Sequence, residues 1–264
     1  MSKPVVLITG ASSGIGEATA RHLAQQGSLD LVLVARNQQK LDQLAQELSS
    51  EHAVDVVVHP FDLTQVDAIS ECLQVALQHF GRLDVVLHVA GAADFKAALD
   101  FTPQEVEREF QLNTLSGIRL SQVAAQQMLQ QGGGKIIIVA SMSGKLPTPQ
   151  SSVYAASKSA MMTYAAVLGM ELEDSGVQVT VVNPGPVKTA FFDHSPAMQT
   201  YIQNVERFAL EAHQVAKLLA ELVWQTKKLP YEVNLPFAMR LAYLGHRMCP
   251  RLARWLTLRF ANFK

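Results

Sequence analysis

Short runs of aliphatic and β-branched residues alternate along the chain with longer stretches whose apolar positions recur at helical spacing. The runs at 5–8, 31–34, 54–58, 85–89, 136–139 and 177–182 read as strands, and 232–235 as a last one. Each is nearly uniform in polarity, which suits strands covered on both faces. Between them lie helix-start signals. Thr64 with Asp67, and Thr102 with Glu105, have the spacing of capping boxes, the second with Pro103 at the first helical position. Strand–helix alternation of this kind predicts right-handed βαβ units in one parallel sheet. The expected fold is a Rossmann-type, doubly wound α/β domain over 1–235, with ligands beyond the C-terminal strand ends.

Composition narrows the function. The chain has 264 residues, 48% of them hydrophobic and 17% charged, enough for a large core without staples. A net charge of -1 argues against nucleic acid, whose binding needs many cations. Cys72 and Cys249 cannot build a disulfide framework and lack the neighbours of a metal site, so no metal is expected and a reducing cytoplasm fits. A strand beginning at residue 5 leaves no room for a signal peptide, and no apolar run is long enough for a membrane span.

The segment Thr9-Gly10-Ala11-Ser12-Ser13-Gly14-Ile15-Gly16 follows the first strand and opens a helix. Gly10 permits a tight turn, Gly14 lets backbone approach a pyrophosphate, and Gly16 allows close helix–strand packing. The helix N-terminus offers unpaired N–H groups to phosphate. At the end of the second strand, Ala35-Arg36-Asn37 supplies a guanidinium where a carboxylate would select NAD. A 2′-phosphate suits the arginine, with Ser12, Ser13 and Asn37 as polar partners, so NADP(H) is the expected cofactor. Asp62 can bond an adenine, beside the backbone of Leu63, or cap the following helix. Ala90 and Gly91 bring small residues against the adenosine ribose.

Tyr154 and Lys158 stand four residues apart, on one face of a helix, with Ser141 thirteen positions upstream. A cation beside a phenol favours the phenolate, which would let Tyr154 exchange a proton with a carbonyl oxygen. Together the glycine turn, Asn113, Ser141, Tyr154, Lys158 and Pro184-Gly185 resemble the short-chain dehydrogenase/reductase superfamily in its compact one-domain branch, over residues 4–235.

The resemblance implies a role for each position. Tyr154 would be the general acid in reduction and the base in oxidation. Lys158 would lower its pKa and hold the nicotinamide ribose. Ser141 would bond the carbonyl oxygen, and Asn113 would anchor a water relaying protons to Lys158. Pro184, Gly185, Val187 and Thr189 would shape the nicotinamide loop. The segment 190–210 would form a mobile lid, and long helices around 103–131 and 152–174 would pair subunits into a homodimer or homotetramer. One departure stands out: the family's usual Asn-Asn-Ala-Gly is His88-Val89-Ala90-Gly91 here, and His88 would take over bracing of the central sheet.

Phe95, Leu146, Pro147, Val153, Phe191, Phe192, Met198 and Tyr201 are expected around an apolar pocket for a hydrophobic ketone, aldehyde or alcohol, with Lys145 and Lys188 close by. Two other readings stand beside it: a 3-oxoacyl-thioester reductase, and a non-catalytic NADP(H) sensor. The tail 236–264 has no acidic residue but carries Arg240, Arg247, Arg251, Arg254, Arg259 and Lys264. It reads as two amphipathic helices split at Pro250, with Leu241, Leu244, Met248, Leu252 and Trp255 in an apolar stripe. That pattern suits either peripheral contact with an anionic membrane or packing over the lid or a subunit interface.

Overall fold

The structure, a computed structural model, describes residues 3–260. Strand β1 (Val5–Thr9) leads through α1 (Gly14–Gln26) to β2 (Asp30–Ala35), and α2 (Gln38–Glu51) leads to β3 (Val56–Pro60). Helix α3 (Ser70–Phe80) precedes β4 (Val85–His88), after which α4 (Pro103–Phe110) runs through a π-turn at Gln111–Leu115 into α5 (Ser116–Gln131). Beyond β5 (Gly134–Val139) come α6 (Ser152–Glu171) and β6 (Val177–Pro184). A small parallel pair, β7 (Val187–Lys188) and β8 (Leu210–Glu211), brackets α7 (Pro196–Asn204). Helix α8 (Ala212–Trp224), β9 (Glu232–Leu235), α9 (Phe237–Met248) and α10 (Pro250–Phe260) follow.

The main sheet runs β3-β2-β1-β4-β5-β6-β9 with every pairing parallel. Chain order reverses between β1 and β4, which opens a crevice beyond their C-terminal ends. Uniform strand hydrophobicity has its cause in the two cores. In β1, Val6 and Ile8 join Leu23, Leu41 and Leu219 on one face, while Val5 and Leu7 join Leu73, Leu120 and Met161 on the other. All five residues of β1 are buried.

Two sequence expectations are corrected. Strand β3 begins at Val56 rather than 54, because the Asp55 N–H donates to the Asp30 carboxylate outside the ladder (3.0 Å). The Thr64/Asp67 capping box does not form. Instead the Asp62 carboxylate accepts from the Thr64 backbone N–H (3.0 Å) and hydroxyl (2.9 Å), and α3 starts only at Ser70. The Thr102/Glu105 box does form: Thr102 Oγ1 accepts from Glu105 N–H (3.3 Å), and the Glu105 carboxylate accepts from Thr102 N–H (2.8 Å). As expected, Pro250 separates two tail helices; Lys264 lies outside the described residues. No described helix is long and apolar enough to cross a membrane.

Candidate active site

The glycine turn leaves β1 with Gly10 at φ +70° and Gly14 at φ +57°, both in the left-handed region. At Gly16 a Cβ would lie 2.3 Å from the Gly10 carbonyl oxygen, so only glycine lets α1 start this close to the strand. Ser13 precedes α1 without capping it, so its hydroxyl and the first N–H groups face the crevice free of a side-chain cap. Gly14 abuts Thr189, which follows β7, and this contact closes the turn and that loop around one cleft.

That cleft encloses about 1640 Å³ and is lined by every cofactor residue expected from the sequence: Gly10 and Ser12 to Gly16, Arg36, Asn37, Asp62, Leu63, Ala90, Gly91, Tyr154, Lys158, Pro184, Gly185, Val187 and Thr189. Arg36 is exposed at the adenosine end, beside Lys40, a second cation that sequence reasoning missed. Asn37 instead caps α2, accepting from Lys40 N–H (3.0 Å). Burial works to raise the Asp62 pKa, but the Thr64 hydrogen bonds, with Arg36 and Arg108 nearby, hold it below the usual carboxylate range.

The proton-handling residues converge at the other end. Ser141, just beyond β5, acts on the Tyr154 phenol to lower its pKa and accepts from Ser143 N–H (3.1 Å). Lys158 Nζ lies 5.9 Å from the Tyr154 ring centroid and donates to the Val139 carbonyl (3.2 Å). Asn113 sits in the π-turn. Its amide donates to Ala92 O (2.8 Å) and Ser157 Oγ (3.1 Å), and its oxygen accepts from Ala92 N–H (2.9 Å). A Cβ on Gly91 would meet Lys158 Nζ at 3.0 Å and Asn113 Oδ1 at 3.1 Å, so this glycine keeps lysine, asparagine and the β4 exit together.

Burial and hydrogen bonding act on the phenol in opposite senses. Burial drives the Tyr154 pKa up; the Ser141 hydrogen bond opposes the rise, and Glu109 and Tyr201 add to it. The phenol is therefore held in its proton-donor form. Burial also lowers the Lys158 pKa, to about 8, with Glu109 opposing the fall. Glu109, a second residue missed from sequence, is buried one turn before Asn113 and lines the same cavity.

His88 braces the sheet as expected. Thr9 Oγ1 accepts from Val89 N–H (3.1 Å) and Ala90 N–H (3.2 Å), so its own hydrogen is directed to His88 Nδ1 at 3.1 Å. The ring proton is thereby assigned to Nε2, and burial lowers the His88 pKa to about 3, keeping the ring neutral.

Above Tyr154, Phe95, Phe191, Phe192 and Tyr201 form an aromatic wall with ring centroids 5.0–6.4 Å apart. Leu146 also lines the cavity, but Pro147, Val153 and Met198 do not; Met198 is fully buried beneath the wall. Both nearby lysines are paired, Lys145 with Glu232, and Lys188 with Glu206 (3.3 Å) and Glu211 (3.2 Å). The segment proposed as a lid folds as α7 between short 3₁₀ turns. Met239, His246 and Leu252 of the tail complete the cavity, in keeping with a tail that packs beside the lid.

A family model described as short chain dehydrogenase matches residues 4–200. An uncharacterized oxidoreductase of Staphylococcus aureus is 37% identical over 227 residues, covering 86% of this chain and 94% of the relative. An alcohol dehydrogenase from Thermococcus sibiricus, complexed with 5-hydroxy-NADP, superposes with a TM-score of 0.78 at 27% identity, covering 88% of this chain and 96% of its own. A short-chain dehydrogenase from Sphingobium yanoikuyae in complex with NADPH gives 0.77 at 29% identity, with 95% of each chain covered.

Proposed function

We propose that this chain, which belongs to the short-chain dehydrogenase/reductase family and is an oxidoreductase of alcohol and carbonyl groups, uses NADP(H) to reduce a hydrophobic ketone or aldehyde. The observation that carries the reading is the buried Tyr154 phenol, which shares the cavity with Ser141 and Lys158 at the junction of the glycine-turn cleft and the aromatic wall. The cofactor fit rests on the Gly10–Gly16 cradle, which a Cβ would fill, and on Arg36 and Lys40 at its far end. Two solved relatives carrying NADPH or an NADP analogue agree with that preference.

When bound, the nicotinamide supplies or accepts the hydride. The chain supplies the rest. Ser141 holds the carbonyl oxygen against Tyr154, and Tyr154 Oη passes its proton to that oxygen as the carbon is reduced. Lys158, with a pKa of about 8, is able to return a proton near neutral pH, and Asn113 fixes the backbone beside it. Pairing of Lys145 and Lys188 leaves neither to attract an anionic substrate, which fits an apolar one.

Tyr154→Phe tests the reading. NADPH oxidation across a panel of hydrophobic carbonyls should fall by about three orders of magnitude, with NADPH affinity by titration nearly unchanged. A variant retaining near-normal turnover would remove Tyr154 from the mechanism.

A further inference from the structure

We infer that the α9–α10 hairpin is a docking surface for an anionic lipid bilayer, holding the mouth of the cavity against the lipid from which an apolar carbonyl enters. The second half of this statement rests on the carbonyl-reductase reading above.

Phe237, Leu241, Leu244 and Met248 follow one another at spacings of four, three and four, one stripe along α9. The stripe points outward, with Phe237 67% exposed and Leu241 56%, and ends at Met248 on the rim of the cavity. Arg240 and Arg247 flank it on one side. The opposite face is held to the domain, where Met239 closes on Gly185 and Tyr243 lies under Lys145 Nζ at 4.7 Å. Helix α10 continues the outward surface with Trp255 and Leu258 exposed beside Arg251 and Arg254.

Charge selects the occupant. No acidic residue follows Glu232, so the surface presents apolar side chains among arginines alone. Aliphatic and indole groups among cations suit the headgroup–acyl boundary of anionic lipid, where each arginine adds attraction. A second copy on this face would set arginine against arginine. With 12 and 11 residues, the two helices are too short to span and would lie in the plane of the surface. Since Met239, His246 and Leu252 line the cavity, docking through this hairpin leaves the cavity wall itself facing lipid.

The full-length protein is sedimented with vesicles of phosphatidylglycerol and phosphatidylcholine in equal parts, or of phosphatidylcholine alone. Binding is expected to the mixed vesicles and not to the neutral ones, and to be lost at high salt. Neutralising Arg240, Arg247 or Arg251 to Gln should weaken it by roughly fivefold each. Leu241→Glu with Leu244→Glu should abolish it while keeping wild-type NADPH affinity, since both side chains are exposed. No sedimentation of the wild type at low salt, equal binding to neutral vesicles, or undiminished binding of the double variant would each overturn the inference. A wild-type assembly that the double variant dissociates, without lipid binding, would identify a second copy as the occupant and overturn it too. Sedimentation needs no turnover, so failure of the catalytic reading leaves a separate signature. For the entry route, decanal dissolved in the mixed vesicles should be reduced faster by wild type than by the double variant, with a small water-soluble aldehyde reduced equally by both. Equal rates with vesicle-borne decanal would overturn that half.

Discussion

Glu109 shows how a single buried group writes itself into the behaviour of the protein. Its Oε1 has no hydrogen-bond partner among the described residues, and burial raises its pKa from 4.5 to about 7. Between those values the native state holds more protons than the unfolded chain, so stability falls as pH rises from 4.5 to about 7. Glu109→Gln keeps the shape without the charge. It should remove that fall and stabilise the protein above neutral pH by up to about 3 kcal/mol. Urea unfolding at both ends of the window checks this, and an unchanged pH slope would assign the titration elsewhere. Ser141, Tyr154 and Lys158 could be read from sequence because fixed spacing on known elements brings them together. Glu109 could not, since in a helix holding Glu105, Glu107 and Arg108 it looks like one more solvated charge. Spacing places a cation near Tyr154, but only packing reveals that the phenol is buried.

Elements were readable wherever local chemistry decides their ends. The Thr102 box forms because its partners lie within one helical turn, whereas Asp62 captures Thr64 and displaces the start of α3. The glycine turn offers a test in which one substitution has opposite outcomes at two sites. Gly16→Ala forces a methyl to within 2.3 Å of the Gly10 carbonyl, and neither is a flexible side chain. It should cost about 1–3 kcal/mol and weaken NADPH binding by splaying the cradle. Gly169→Ala, inside α6, meets Val179 at ordinary contact distance (3.6 Å) and should stabilise by roughly 0.5–1 kcal/mol. Denaturant midpoints and NADPH titration compare the pair. Equal effects would mean that α1 does not depend on the close approach.

At the scale of the whole molecule, sequence pattern fixes which segments are helical but not where a distant one lands. The tail reaches the catalytic cleft through contacts such as Gly185 with Met239, set by the direction in which β9 leaves the sheet. No periodicity encodes that direction. Assembly belongs to the same scale. Leu115 at the end of the π-turn, Leu129 near the end of α5, and Val167 and Met170 on α6 remain exposed. Large apolar side chains repeated on neighbouring helices suit an isologous interface, where the same patch serves both copies and each substitution counts twice. Val167→Glu with Met170→Glu should therefore convert a dimer or tetramer to a smaller species in light scattering, with NADPH affinity retained because neither residue lines the cleft. Because this patch lies on α5 and α6 and the lipid-facing stripe on α9, the two variants should fail separately. Loss of self-association in Leu241→Glu with Leu244→Glu, and not in the α6 variant, would move the subunit contact to the tail.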